Sequence, residues 1–149
     1  MNIADFLSPS DVVVDAACTD KDDVLRQLAE RMALTLGVPA DTILVALQNR
    51  ELLGSTGTGS GVAIPHARVD FVQKPHGLLM KLKRAVDFES MDGKPVDLVF
   101  MVLLPLKSQG DPLGALASVS RTLRAEGTVR RMRDAATSAE LSQIALGEA

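Results

Sequence analysis

Leu98-Val99-Phe100-Met101-Val102-Leu103-Leu104-Pro105 is an unbroken apolar run of strand length closed by a proline. A strand with one wet face alternates apolar and polar residues, so a run without a polar position predicts a central strand covered on both faces. The covering layers are legible on either side of it. Upstream, Val24, Leu25, Leu28, Met32 and Leu36 recur at helical spacing. Thr19 or Asp20 opens that helix, Asp22 and Asp23 favour its positive end, and Gly37 is a good cap. Pro39 begins a second helix through Ile43, Leu44 and Leu47 to about Arg50. Downstream, Leu113, Leu116, Val119 and Leu123 share one helical face and Gly127 breaks the pattern. A short helix through Val129 and Met132 follows, and Thr137-Ser138-Ala139-Glu140 reads as the capping box of a last one.

Further strands are expected at Val12-Val13-Val14, at 62–64 and at 77–83, and Asp92-Gly93 is a turn signal. The order is strand, two helices, several strands, three helices. It predicts an α/β fold: a single domain over residues 1–149, with a mixed sheet and helices on both faces.

Composition narrows the function classes. Hydrophobic residues make up 46% of the 149, enough to bury roughly 70% of the unfolded chain's surface. Aromatics are limited to four Phe, so the base-stacking platforms of nucleic-acid modules are missing. A net charge of −3 also disfavours a nucleic-acid partner. Arg121, Arg124, Arg130, Arg131 and Arg133 cluster near Glu126 and Asp134 and read as a solvated helical face. One cysteine, Cys18, leaves no intramolecular disulfide and no multi-cysteine metal site. With no signal peptide at Met1-Asn2-Ile3 and no apolar stretch of membrane-spanning length, the expectation is a cytoplasmic protein without membrane insertion.

The chemistry concentrates in Gly54-Ser55-Thr56-Gly57-Thr58-Gly59-Ser60-Gly61-Val62-Ala63-Ile64-Pro65-His66-Ala67-Arg68. This reads as a Gly/Ser/Thr loop, a short strand and a corner presenting an imidazole beside a guanidinium. Glycines let backbone N–H groups crowd around an anion, and hydroxyls add donors. The stretch is no nucleotide P-loop, because Ser60-Gly61 stands where lysine and a hydroxyl residue are required. A neutral imidazole is available as a nucleophile near pH 7, and phosphoryl transfer needs positioning and charge neutralisation above all. His66, with Arg50 and Arg68 near it in sequence, is therefore the candidate phosphoryl acceptor. His76, in Lys74-Pro75-His76-Gly77, reads as exposed and incidental. Two histidines and one cysteine at these spacings match no zinc pattern, and no cofactor or metal is expected.

From Arg50-Glu51-Leu52-Leu53-Gly54 through His66 the chain resembles the active-site signature of the fructose/mannitol/nitrogen class (type 2) of enzyme IIA of the phosphoenolpyruvate-dependent phosphotransferase system. Ile3-Ala4-Asp5-Phe6-Leu7-Ser8-Pro9, Met91-Asp92-Gly93-Lys94-Pro95-Val96-Asp97 and Arg130-Arg131-Met132-Arg133-Asp134-Ala135 resemble its nitrogen-type branch. The resemblance implies an α/β/α sandwich. It also implies that His66 accepts a phosphoryl group, on Nε2, from a phosphohistidine of an HPr-type carrier. Arg50 would neutralise charge, Ser55 and Thr56 would shape the anion site, and Arg68 would assist. Members of that branch regulate target proteins through their phosphorylation state. Two other readings stay open: a stand-alone sugar-pathway IIA passing phosphate to a IIB component, with no such domain attached before Ala149, and a non-phosphorylated binding module. The last is motivated by Asp111-Pro112-Leu113-Gly114-Ala115-Leu116-Ala117, where Pro112 replaces the family's usual second histidine. That departure bears on transfer rate and phosphohistidine lifetime, and Asp111 beside the site would repel phosphate.

Overall fold

The computed structural model describes residues 1–107 and 112–147. The apolar run lies in strand β6 (Val96–Pro105), where only Asp97 of the ten residues is not buried. Strands β1 (Val12–Ala16) and β5 (His76–Val86) lie to one side of it, with β1 parallel to β5 and β5 antiparallel to β6. On its other side β3 (Val62–Ala63) and β4 (His66–Val69) follow one another along the same edge, both parallel to β6. Strand β2 (Gly57–Gly59) closes the sheet, antiparallel to β3.

Because side chains alternate, β6 feeds two cores. Val99, Met101 and Leu103 pack with Leu78 and Met80 against helices α1 (Lys21–Leu36) and α2 (Ala40–Leu52). Leu98, Phe100, Val102 and Leu104 face helices α3 (Pro112–Arg124), α4 (Glu126–Asp134) and α5 (Ser138–Ala145). Phe6, beside a 3-10 turn at Ile3–Asp5, meets Phe100 edge-on with ring centroids 6.2 Å apart. The result is the expected mixed sheet with helices on both faces.

Helix signals act as their chemistry predicts. The Asp20 carboxylate takes the Asp23 N–H at 2.8 Å, and Gly37 ends α1 with φ 68°. Thr137 accepts from the Glu140 N–H, while the Glu140 carboxylate reaches one residue further back, to the Ala136 N–H. The α4 carbonyls end on an ammonium: Lys81 Nζ donates to Arg133 O and Ala135 O at 2.5 and 2.6 Å, tying the helix to β5.

Three expectations need correction. Leu113 is 58% exposed, and the buried face of α3 is Ala115, Val119 and Leu123. The break after α3 falls at Ala125, held extended ahead of α4, so Gly127 lies inside a first turn rather than between helices. His76 is the half-buried first residue of β5, not an exposed turn residue. Pro112 does open α3, while Asp111 lies outside the described residues.

Candidate active site around His66

The stretch read as a loop is largely a hairpin. β2 turns into β3 through Ser60 and Gly61, whose φ values of 59° and 79° are the two positive values a tight type I′ connection requires. After Ala63 the chain leaves the sheet at Ile64-Pro65, where the proline has no N–H to donate to a ladder. It rejoins as β4, with His66 opposite Val102. His66 is thus not in a corner after the 62–64 strand; it opens a strand of its own. That strand is parallel to the most buried one in the molecule, so its position is fixed by the core.

The ring of half-buried His66 is held from both sides. Nδ1 lies 2.8 Å from Ile64 O and donates to it as N–H, leaving the Nε2 lone pair to accept the Arg50 Nε–H at 3.3 Å. Burial, which disfavours a charged ring, lowers the His66 pKa from its ordinary 6.5. The Ile64 bond works in the opposite direction, nearby Arg50 pushes it further down, and Glu51 pushes it up. The Arg50 N–H on Nε2 and the lowered pKa both favour the neutral imidazole, whose Nε2 lone pair faces a guanidinium. Arg50, in the last turn of α2, also donates from Nη1 to Gly54 O at 3.0 Å, bridging the helix end to the hairpin.

The other sequence candidates lie differently. The Ser55 hydroxyl donates to Phe88 O at 2.5 Å and accepts the Gly57 N–H at 3.0 Å. Thr56 is buried, with Oγ1 donating to Glu51 Oε2 at 2.6 Å and its N–H to Oε1 at 3.1 Å. Both hydroxyls are thus engaged in holding the hairpin. Arg68 lies on the same side of β4 as His66, exposed and two residues on, with no ion pair among the described residues.

Glu51 and Lys21 are the side chains that the sequence reading missed. Lys21 Nζ pairs with Glu51 Oε1 at 3.0 Å, both side chains well shielded, and sits 4.9 Å over the Phe88 ring. The available signal was an acidic residue in the last turn of a helix, where the macrodipole disfavours it. A further correction concerns Arg133, read as part of a solvated face. Its Nε donates to both Asp97 carboxylate oxygens at 3.1 Å and its Nη2 to Ser60 O at 2.6 Å, so it braces the hairpin tip. Asp92 braces the same tip, and the N–H bonds it accepts from Ser60 and Lys94 hold its carboxyl below the usual range.

A cleft of about 930 Å³ opens between the hairpin and the α3–α4 corner, touching Ile64 but neither His66 nor Arg50. His66 instead lies at the start of β4 against Arg50, in the last turn of α2, and that helix ends in Leu52 and Leu53, which are 83% and 84% exposed. Among the described residues no three His, Cys, Asp or Glu side chains are grouped to hold a metal. No helix among them is long and apolar enough to cross a membrane.

Residues 5–146 match the family model of the phosphoenolpyruvate-dependent sugar phosphotransferase system, EIIA 2. A nitrogen regulatory protein of Bradyrhizobium diazoefficiens is 39% identical over 89% of this chain and 87% of its own length. One from Pseudomonas aeruginosa is 37% identical over 97% and 94%. Among solved structures, nitrogen regulatory protein IIA-Ntr from Neisseria meningitidis superposes with a TM-score of 0.89 at 28% identity, covering 95% of this chain and 97% of that one.

Proposed function

The chain belongs to the EIIA 2 family of the phosphotransferase system, with nitrogen regulatory proteins as relatives, and from that premise we propose that it is a cytoplasmic phosphohistidine carrier. It takes a phosphoryl group on His66 from an HPr-type carrier and regulates partner proteins by its phosphorylation state. One observation carries this reading: the Nε2 lone pair of a neutral, half-buried His66, whose other nitrogen is fixed as N–H, faces Arg50. In the transfer, Nε2 attacks phosphorus, the new N–P bond forms as the N–P bond of the carrier's phosphohistidine breaks, and the carrier's imidazole leaves with its electron pair. Nδ1 keeps its proton throughout, donating to Ile64 O. Arg50 swings from Nε2 onto the phosphoryl oxygens, and Arg68 approaches from the same side of β4. Ser55 and Thr56 contribute by fixing the loop, so that the backbone around His66 reorganises little as charge arrives.

The setting of the site also supports a protein as phosphoryl donor. His66 lies outside the cleft, and the helix that supplies Arg50 ends in exposed leucines, an arrangement suited to docking another surface rather than enclosing a small substrate.

The test is intact-mass analysis after incubation with phosphoenolpyruvate, enzyme I and an HPr-type carrier. Wild type gains one acid-labile phosphoryl group and His66→Ala gains none while remaining folded. Label retained by the variant moves the chemistry to another residue. An unlabelled wild type beside a labelled control IIA protein makes the chain a binding module, with Pro112 marking the lost assistance.

A further inference from the structure

Both nitrogens of the His66 ring trace back to one turn of α2. Nε2 is held by Arg50 directly. Nδ1 is held by Ile64 O; the Ile64 N–H donates to Thr56 O at 3.0 Å; and Thr56 is clamped through its N–H and its hydroxyl by the carboxylate of Glu51, the next residue after Arg50. On the reading that His66 is the acceptor, we infer that Glu51 is a positioning residue for phosphoryl transfer. Held by Lys21, it sets the height and orientation of the Thr56–Ile64 backbone and thereby selects the Nδ1–H tautomer that leaves Nε2 free.

Three features make this more than a packing contact. A shielded carboxylate in the last turn of a helix opposes the macrodipole, so helix stability does not explain it. Three donors converge on it, the Thr56 N–H, the Thr56 hydroxyl and the Lys21 ammonium, and they need the acceptor-only chemistry of a carboxylate. An amide has one acceptor oxygen and two N–H groups of its own, so Gln cannot satisfy all three. Finally, Ser55 is clamped in parallel to Phe88 O, and Lys21 lies over the Phe88 ring while pairing with Glu51. The two residues ahead of the hairpin are therefore each fixed through their side chains, and Ile64 inherits that rigidity through its N–H. In metal sites, the partner that orients a ligand histidine through its second nitrogen commonly matters tenfold to a hundredfold, and an effect of that order is expected for the chain of bonds that orients His66.

Two variants and two readouts test the assignment. Glu51→Gln loses one acceptor; Thr56→Val removes only the hydroxyl donor. In ¹⁵N-resolved imidazole spectra of the unphosphorylated protein, wild-type His66 shows a protonated Nδ1 and a bare Nε2, and both variants show exchange between tautomers. In transfer assays kcat falls about tenfold to a hundredfold, while KM for the HPr-type carrier stays within about threefold, because the exposed docking residues are untouched. Folded variants with the wild-type tautomer overturn the inference, even where the rate falls, since the loss is then merely structural. If Glu51→Gln does not fold, Thr56→Val alone decides. A wild type that takes no phosphoryl group defeats the acceptor reading, whereas the tautomer measurement still decides the role of Glu51.

Discussion

At His66 the nearest charges and the loss of water act together on one equilibrium. Burial and Arg50 disfavour the imidazolium, so the pKa is depressed below 6.5 and the nucleophilic form persists as the medium becomes mildly acidic. The rate of phosphoryl acceptance is expected to hold steady as pH falls through 6.5 and to decline only below it, once carrier protonation is corrected for. Rapid-quench labelling across pH 5–8 checks this. The same shift has a stability consequence whose sign follows from proton counting. Between the depressed folded pKa and 6.5 the unfolded chain binds more protons, so stability is complete above 6.5 and is lost as pH falls towards the folded value. His76, also depressed by burial and then by Lys74, contributes in the same direction. On the proposed mechanism Arg50 acts on the transition state as well. Arg50→Ala is expected to lower the acceptance rate by about 10²–10³, and Arg50→Lys to recover only part of it, because a lysine cannot hold Gly54 O and a phosphoryl oxygen with one planar fork. A rate unchanged in Arg50→Ala would remove the guanidinium from the mechanism.

Among the elements, the β2–β3 hairpin depends most on a single backbone choice. Gly61 has φ 79°, its carbonyl accepts the Asp97 and Leu98 N–H groups, and a Cβ there would run into the Arg133 guanidinium. Gly37 has a similar φ of 68° with open space around it. Gly37→Ala should therefore lose only the left-handed backbone cost, about 1–2 kcal/mol, and leave labelling intact. Gly61→Ala should lose more, because Arg133 must also move, and should slow labelling by loosening the strand ahead of His66. Urea unfolding beside the labelling assay separates the two. The contrast shows where the sequence was legible. Helices α1, α2 and α5 and strand β6 announce themselves by spacing and caps, since their stability is written in their own side chains. β2 and β4 do not. Gly57-Thr58-Gly59 has poor strand propensity, and four residues after a proline look like a corner; pairing with β3 and β6 makes them strands. His66 and Arg50 stood out by residue type and by resemblance. Glu51 did not, because its role depends on three donors brought together by the fold.

Over the whole molecule, β6 joins both cores to the site. Phe100 is fully buried in the layer beneath α3–α5, and Phe100→Ala is expected to destabilise the fold by about 3–5 kcal/mol, measured as a shift in urea midpoint. The proposed docking surface is expected to behave in the opposite way. Leu53 is exposed at the end of α2, so Leu53→Asp should leave stability nearly unchanged yet raise KM for the carrier about fivefold or more, as loss of an apolar interface anchor does. An unaltered KM would put the docking face elsewhere.

The parallel pairing of β4 with β6 also has a consequence in time. His66 is laid against Val102 and Val69 against Pro105, so the strand that carries the histidine has nothing to pair with until the later strand exists. Such distant pairing is slow to form and comes late in folding. During synthesis, a nascent chain halted before residue 105 has already made His66 and Arg50 but lacks the partner strand that seats them. Ribosome-stalled chains of increasing length should accordingly stay blind to the phosphoryl donor until β6 has cleared the exit tunnel, which keeps phosphate off chains whose sheet is not yet assembled.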